Sequence, residues 1–526
     1  MLKWLKNYQQ FIPKSVDCLK NYTFPIFKKD LMAGVTVGIV SLPLAMAFAM
    51  ASGVAPEKGL FTAVVAGFLI ALLGGSRVQI GGPTGAFVVV VYGVVQRHGY
   101  DGLLMATLIA GVLLVIMGLC RLGTLIKYIP HPLTVGFTTG IALVVFSAQL
   151  KDLLGLQILH LPVHFIDKWS TYFDAAPTYH VLTTVLGLTT LGFIIVLRRF
   201  FPKAPWGIIS IALATLVCWA LQLETPTIGT RFGALPSKLP TPHFYFATER
   251  FLVILPDAIA IALLAGIESL ISAVIADGAT GGRHKPNCEL IAQGVANLGA
   301  AAFAGMPATA AIARTATNIR TGAQTPVAGI LHAITLFLLL LTCAPIVSHI
   351  PLASLSAILV VVAWNMCELP HFLRLMKTSR SDIAILLTAF FLTVFVDLTA
   401  AVGVGVILAA FFFMKRMSEV KPILALDKSI PEQSVEVYQV HGPFFFGVTD
   451  RLKDLMHGHL PKPPSLLIFR MGQVPLLDAT ALQTLRELSD RYAKYQSRLV
   501  LTEVRPELAT LLHKYGLGEL LEREST

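Results

Sequence analysis

One carboxylate in this 526-residue chain stands where a carboxylate is costly. Glu268 lies in an apolar run bracketed by Asp257 and Asp277, 11 and 9 residues away. At 1.5 Å per helical residue those separations are about 16 and 14 Å. A run of that length crosses a bilayer with Glu268 near the centre, where a charge costs at least about 2.5–3.5 kcal/mol. Acids at such depth mark proton or ion paths, and a neutral, protonated Glu is far less costly there than a carboxylate. Ser272, one helical turn on, shares the face of Glu268 and offers a further oxygen to a cation.

A second constellation is suited to anions. Thr84-Gly85-Ala86 and Thr309-Ala310-Ala311 each follow a Gly/Pro break, Gly81-Gly82-Pro83 and Gly305-Met306-Pro307. The apolar segments they open, 84–97 and 309–320, cover 13 and 11 helical steps. That is about 20 and 16 Å, too short for a hydrocarbon core of about 30 Å. A helix N-terminus presents unpaired N–H groups and about half a positive charge, and small side chains leave it open to a ligand. Two such ends meeting at the midplane make an anion site without a buried lysine. The competing reading is a pair of kinked packing helices whose small residues serve close contact. Arg314, five residues into the second segment, faces either the anion or the cytoplasmic side. Pro43 breaks the first apolar run beside Ala45, Ala47 and Phe48 and brings them to the same cavity. His98, His131, His284 and His332 have no metal-ligand spacing, and the six cysteines show neither a disulfide framework nor zinc spacing. No metal or resident cofactor is expected.

Composition supplies the medium these residues need. Hydrophobic residues make up 55% of the chain and charged residues 13%, against about 25% charged in soluble domains. Several soluble globules, disorder and collagen are all excluded. Apolar runs predict fourteen spans, near 31–51, 58–74, 84–96, 102–120, 132–150, 180–197, 205–222, 252–276, 288–304, 309–319, 326–346, 351–366, 382–397 and 399–415. Adding 224 lays Gly81-Gly82-Pro83-Thr84-Gly85-Ala86 on Gly305-Met306-Pro307-Ala308-Thr309-Ala310, and the first span on the eighth. Seven spans per half is odd, so the halves (about 31–222 and 252–415, within a membrane domain 31–421) are expected in opposite orientation.

The net charge of +11 (41 basic less 30 acidic) is spread without a dense Lys/Arg run, which argues for a membrane face over nucleic acid. With the N-terminus in the cytoplasm, inner loops carry twelve Lys/Arg and outer loops seven, five of them in the two longest outer loops. Both termini are therefore expected in the cytoplasm. Residues 1–30 carry six lysines and no secretory signal, and read as a basic cytoplasmic segment at the membrane surface. Residues 430–526 read as a small α/β domain. Strands begin near Val435, Ser465 and Arg498, and helices lie near 449–459, 482–492 and 506–515. Asp478 caps a helix start there, and Thr480 beside it is a candidate phosphosite. Walker A, GxGxxG and HExxH motifs are lacking, so neither an enzyme nor ATP-driven transport is expected.

These residues resemble the SulP/SLC26 anion transporter family over nearly the whole chain. The run from Asp30 to Pro43 is similar to its opening signature, Gly82-Pro83-Thr84 and Gly305 to Arg314 to its two half-helix breaks, and 430–526 to its STAS appendage. The segments 307–314, Gly266-Ile267-Glu268-Ser269-Leu270 and Val362-Ala363-Trp364-Asn365-Met366 are most similar to bacterial C4-dicarboxylate transporters. The resemblance implies a polytopic helical protein of seven plus seven inverted spans, with a core domain moving elevator-like against a scaffold. It implies a homodimer in the bacterial inner membrane and uptake of an anion with a proton or sodium. Glu268 then matches the coupling acid, Thr84 and 309–311 match positions around the substrate, and Phe48 an aromatic at its edge. Leu44 and Ala313 replace polar groups of other members, which argues against sulfate. Asp478-Ala479-Thr480-Ala481 departs from the Asp-Ser-Ser-Gly of related regulators. The expectation is a proton-coupled importer of succinate or fumarate. Sodium-coupled bicarbonate or proton-coupled sulfate symport stand as alternatives, as do an uncoupled anion channel and a membrane-anchored STAS regulator with a cytoplasmic partner.

Overall fold

In a medium without water every backbone N–H and C=O needs a partner within the protein, so apolar runs become helices. The computed structural model describes residues 10–20, 22–124, 130–158, 161–201, 204–419, 423–430, 433–444 and 464–521, without the side chains of 398–399, 417–419, 423–430 and 433–434. It forms two units, Met1–Val406 and Ile407–Thr526. The first unit opens with α1 (Lys14–Leu19), α2 (Phe24–Ala51) and α3 (Pro56–Leu73), then a two-residue strand β1 (Gly81–Gly82) and α4 (Phe87–Leu119). Next come α5 (His131–Leu154), α6 (Phe165–Ala175), α7 (Val181–Phe200), α8 (Trp206–Ala220) and α9 (Ile228–Phe232). The second half carries α10 (Phe251–Thr280), α11 (Pro286–Ala302), β2 (Thr309–Ala310), α12 (Ile312–Arg320) and α13 (Val327–Val347). It ends with α14 (Leu352–Met366), α15 (Leu369–Leu375), α16 (Arg380–Phe395) and α17 (Leu398–Glu419).

All fourteen expected segments overlap helix. Among the described residues, eight helices are long and apolar enough to cross a membrane. The difference of six has identifiable sources. Two expected spans are joined in α4 across Gly99 (φ 71°, ψ −176°), and α8, α11, α12, α16 and α17 fall outside the eight. The first helix also starts earlier than position 31. It begins at Phe24, after extended Thr23 and with Pro25 in its first turn, and Asp30 within it is buried, accepting from the N–H groups of Gln324 (2.7 Å) and Thr325 (3.2 Å) and the Thr325 hydroxyl (2.5 Å). Residues 24–30 thus belong to the helical unit rather than to a separate leading segment.

Helices α2, α3, α4, α10, α11, α12 and α13 pack on one another. Helices α5, α7, α8, α14 and α16 form a second group, with α14 lying against α2 between them. Glycines permit the close approaches. A Cβ on Gly59 would stand 2.0 Å from Ala45 O, and one on Gly136 2.5 Å from Leu386 O. Charged groups sort to the helix ends. Lys285 pairs with Asp17 (2.7 Å) near Arg77 and Arg283, whereas Arg97 (2.6 Å) and His98 (3.1 Å) meet Asp257. From the loop charges, Arg77, Arg283 and Lys285 are expected on the cytoplasmic side and Arg97 on the outer side.

The second unit holds a four-stranded sheet in the order β3-β4-β5-β6, with β3 (Ile423–Ile430) antiparallel to β4 (Gln433–His441) and β5 (Leu466–Gln473) and β6 (Arg498–Thr502) parallel. Helix α18 (Ala479–Ala493) packs Leu482, Leu485, Leu488 and Tyr492 into its core, and α19 (Pro506–Lys514) adds Leu508 and Leu512. Strand β3 precedes the expected boundary at 430, since its Asp427 and Lys428 break the apolar pattern of a buried strand. The helix expected at 449–459 lies outside the described residues.

Substituting Gly59→Ala places a methyl against backbone oxygen, and overpacking of this kind costs about 1–3 kcal/mol. Its thermal unfolding in detergent, followed by loss of monodisperse protein, is expected several degrees below wild type. Gly192→Ala, whose Cβ meets nothing within 4 Å, is expected to match or exceed wild type.

Candidate functional site

Two interrupted helices leave backbone groups bare, and here each interruption supplies the other. Strands β1 and β2 pair antiparallel, Gly81 opposite Ala310 and Gly82 opposite Thr309, and the Ala311 N–H extends the pairing to Ile80 O (2.9 Å). Gly82 has φ 142°, and a Cβ there would fall 2.5 Å from the Arg314 guanidinium, so only glycine fits. The remaining backbone groups are met by polar side chains. The Asn297 amide both donates to Ala308 O and accepts from its N–H (2.9 Å each). Thr62 accepts from the Met306 N–H (2.7 Å), Asn318 donates to Val78 O (2.8 Å), and Gln79 donates to Ser269 O (2.7 Å). None of these four had been singled out. The available signal was an amide inside an apolar run, as at Asn297.

The half-helices begin at Phe87 and Ile312, three residues later than expected. In the second break, 309–310 are drawn into the ladder. In the first, 84–86 form a turn closed by Phe87 N–H to Thr84 O (3.3 Å) and Val88 N–H to Gly85 O (3.2 Å). Among the described residues, the N–H groups of Gly85 and Ala86 have no hydrogen-bond partner. Thr84 is buried, and its hydroxyl donates to Glu268 Oε2 across 3.0 Å. Phe48 flanks the same turn, its ring edge 3.3 Å from where a Gly85 Cβ would be, with Met366 Sδ at 2.8 Å. The expected anion-facing start, coupling acid and edge aromatic are therefore neighbours, joined by a hydrogen bond.

Other expected residues have different partners. Arg314 is buried, and its guanidinium donates to the carbonyls of Gly81 and Pro83. A buried guanidinium requires acceptors, and the first break exposes them. Ser272 donates to Thr315 Oγ1 (3.4 Å), bracing α10 on α12 instead of extending the Glu268 oxygens. Thr309 is likewise a brace, donating to Ala265 O (2.9 Å), and Ala310 and Ala311 are buried beside it. Pro43 is buried within α2, which continues through it rather than breaking. Ala47 lines a cavity of about 240 Å³ that also reaches Val88 in the first turns of α4. In the second unit, Asp478 accepts from the Ala481 N–H (2.7 Å) as an N-cap, and Thr480 is exposed in the first turn of α18. Among the described residues no group of three or more His, Cys, Asp or Glu could hold a metal ion.

Known proteins share this architecture. A family model described as "Sulfate permease family" matches residues 27–389, and one for the STAS domain matches 430–526. A putative sulfate transporter, YvdB of Bacillus subtilis, is 41% identical, with 95% of each chain covered. The transmembrane domain of the bicarbonate transporter BicA from a cyanobacterium superposes with a TM-score of 0.66 at 30% identity, covering 73% of this chain and 99% of that one. Murine Slc26a9, an anion transporter in an inward-facing state, shares the fold at a TM-score of 0.87 and 17% identity, with 98% and 91% covered. The chain belongs to the sulfate permease family of membrane anion transporters and carries a C-terminal STAS domain.

Proposed function

We propose that the protein is a secondary active importer in which a small anion enters together with a proton carried by Glu268. The hydrogen bond from Thr84 to Glu268 is the observation that carries this reading. As a carboxylate, Glu268 repels an incoming anion and holds the Thr84 proton. Once protonated it is neutral and can donate to Thr84, whose own hydrogen is then free to turn toward an anion on the Gly85 and Ala86 N–H groups. Proton and anion each favour the other's binding, which is the requirement for coupling. Ser272 is engaged with Thr315, so the acid has few oxygen neighbours for sodium, and the proton is favoured.

The two packing groups support an elevator-type movement, since both half-helices and Glu268 lie in the group of α2–α4 and α10–α13. The 224-residue offset supports inverted halves: it carries 24–51 onto 248–275, within the helix Thr248–Thr280. Sorting of Lys285, Arg77 and Arg283 to one end and Arg97 to the other supports cytoplasmic termini in a bacterial inner membrane. For the substrate, similarity of 307–314, 266–270 and 362–366 to dicarboxylate transporters supports succinate or fumarate. The relatives' names support bicarbonate and sulfate as the competing substrates. A homodimer and a cytoplasmic regulator at the STAS domain remain part of the proposal.

In proteoliposomes with an inward proton gradient, Glu268→Gln is expected to abolish accumulation against the anion gradient while retaining exchange; unchanged pH-driven accumulation would refute the coupling role. Thr84→Val is expected to lower uptake by roughly tenfold, the loss of one charge-assisted hydrogen bond. Competition of labelled succinate uptake by fumarate, bicarbonate and sulfate, with and without sodium, ranks the substrates. Current without accumulation would identify a channel. Signalling lost on deleting 422–526, with no transport by the intact chain, would identify a regulator.

A further inference from the structure

The cavity that reaches Ala47 and Val88 has a second, charged wall. It is lined by Lys168 from α6, Lys151 and Asp152 from the end of α5, and Arg231 from α9. Three of these cations and anions are accounted for. Arg231 pairs with Asp152 (2.7 Å), and the Lys151 ammonium donates to Ile158 O. Lys168 is not. It is only 3% exposed, yet among the described residues its ammonium has no carboxylate, carbonyl or hydroxyl partner. Among the described residues it lies over the Tyr92 ring, 5.7 Å from the nitrogen. The nearby phenols are engaged elsewhere, Tyr92 donating to Leu161 O (2.5 Å) and Tyr172 to Ser147 O (2.8 Å). A largely buried cation without a counter-charge is costly, and Arg314, the other buried Lys or Arg among the described residues of this unit, has acceptors.

We propose that this cavity is an anion-capture site centred on Lys168, for a small carboxylate or inorganic oxyanion, from which the anion passes along Ala47 and Val88 to the first half-helix start. The proposal rests on the importer reading, in which the loops around 151–180 and 222–250 face outside. An arriving oxyanion supplies the counter-charge and hydrogen-bond acceptor that Lys168 lacks, with Arg231 at the same wall. A volume of about 240 Å³ admits a sulfate or a four-carbon dicarboxylate. The site has a pH signature. Burial pushes the Lys168 pKa down to about 8. The group is charged below that value and neutral above it, so affinity is full at pH 7 and lost as pH rises past 8. Asp152 is paired with Arg231, the Lys151 ammonium donates to Ile158 O, Tyr92 and Tyr172 donate to carbonyls, and Asp167 and His164 on the Lys168 side of the chain are exposed.

Two measurements test this on the full chain. In right-side-out vesicles, Lys168→Met is expected to raise the half-saturating external concentration of succinate or sulfate roughly tenfold. Maximal rate and half-saturation for efflux should be little changed, and Lys168→Arg should restore external affinity. In purified protein, quenching of tryptophan emission by sodium sulfate or sodium succinate, reported by the adjacent Trp169, is expected to weaken from pH 7 to pH 9 in wild type. It should persist at pH 9 in Lys168→Arg and vanish in Lys168→Met. Quenching that follows this pattern in a wild type that moves neither anion would uphold the site and sink the importer reading. Uptake with unchanged external half-saturation in Lys168→Met, or quenching indifferent to Lys168, would overturn the site.

Discussion

Everything in the membrane unit depends on satisfying the backbone at two points where helices stop short. An unpaired N–H or C=O in hydrocarbon costs several kcal/mol, so a break at membrane depth survives only when protein surrounds it. The ladder of Gly81-Gly82 with Thr309-Ala310 does this with four residues. Around it Asn297, Thr62, Asn318 and Gln79 take up what the ladder leaves, and Arg314 covers the carbonyls of Gly81 and Pro83. Among the described residues the N–H groups of Gly85 and Ala86 stay unpaired, beside Thr84 and Glu268, as do those of Ile312 and Ala313 at the second half-helix start.

This arrangement also assigns the charges. Arg314 reads as facing either an anion or the cytoplasmic side when only its position in the chain is known, and its guanidinium donates to backbone oxygens. The positive character at the half-helix start therefore comes from peptide dipoles, which carry no shape code and cannot be titrated. The titratable acid, Glu268, meets that start through a single hydroxyl. Fixed positive field and variable negative charge are thereby kept on separate groups.

Legibility followed the range of the interactions. The paired Gly/Pro breaks, Glu268 and the small residues after each break are local patterns and could be read directly. In the C-terminal unit the apolar run at Leu466–Gln473 and the spacing of Leu482, Leu485 and Leu488 were equally plain. The roles of Arg314, Ser272 and Thr309 were not, because each is decided by a partner 43 to 233 residues away. Asp30 looked like the edge of a leading segment because its neighbours are Lys28 and Lys29, yet Thr325 buries it. Lys168 looked like one loop cation among several, and only its burial without a partner sets it apart. Fold class was a matter of composition and period. Site assignment needed the cross-chain contacts.

The ladder has a consequence for how the protein is made. Gly82 and Thr309 are partners 227 residues apart (309 less 82). While the first half leaves the ribosome, its break has nothing to bond with, and Gly81 to Ala86 must wait in the membrane with their polar backbone bare or wet. Pairing at such separation is slow in any chain. The nascent first half is therefore the vulnerable species, prone to degradation or mispairing until the second half is inserted beside it. A truncated chain ending before residue 309 should be short-lived in the membrane, even though it contains nine of the fourteen expected spans.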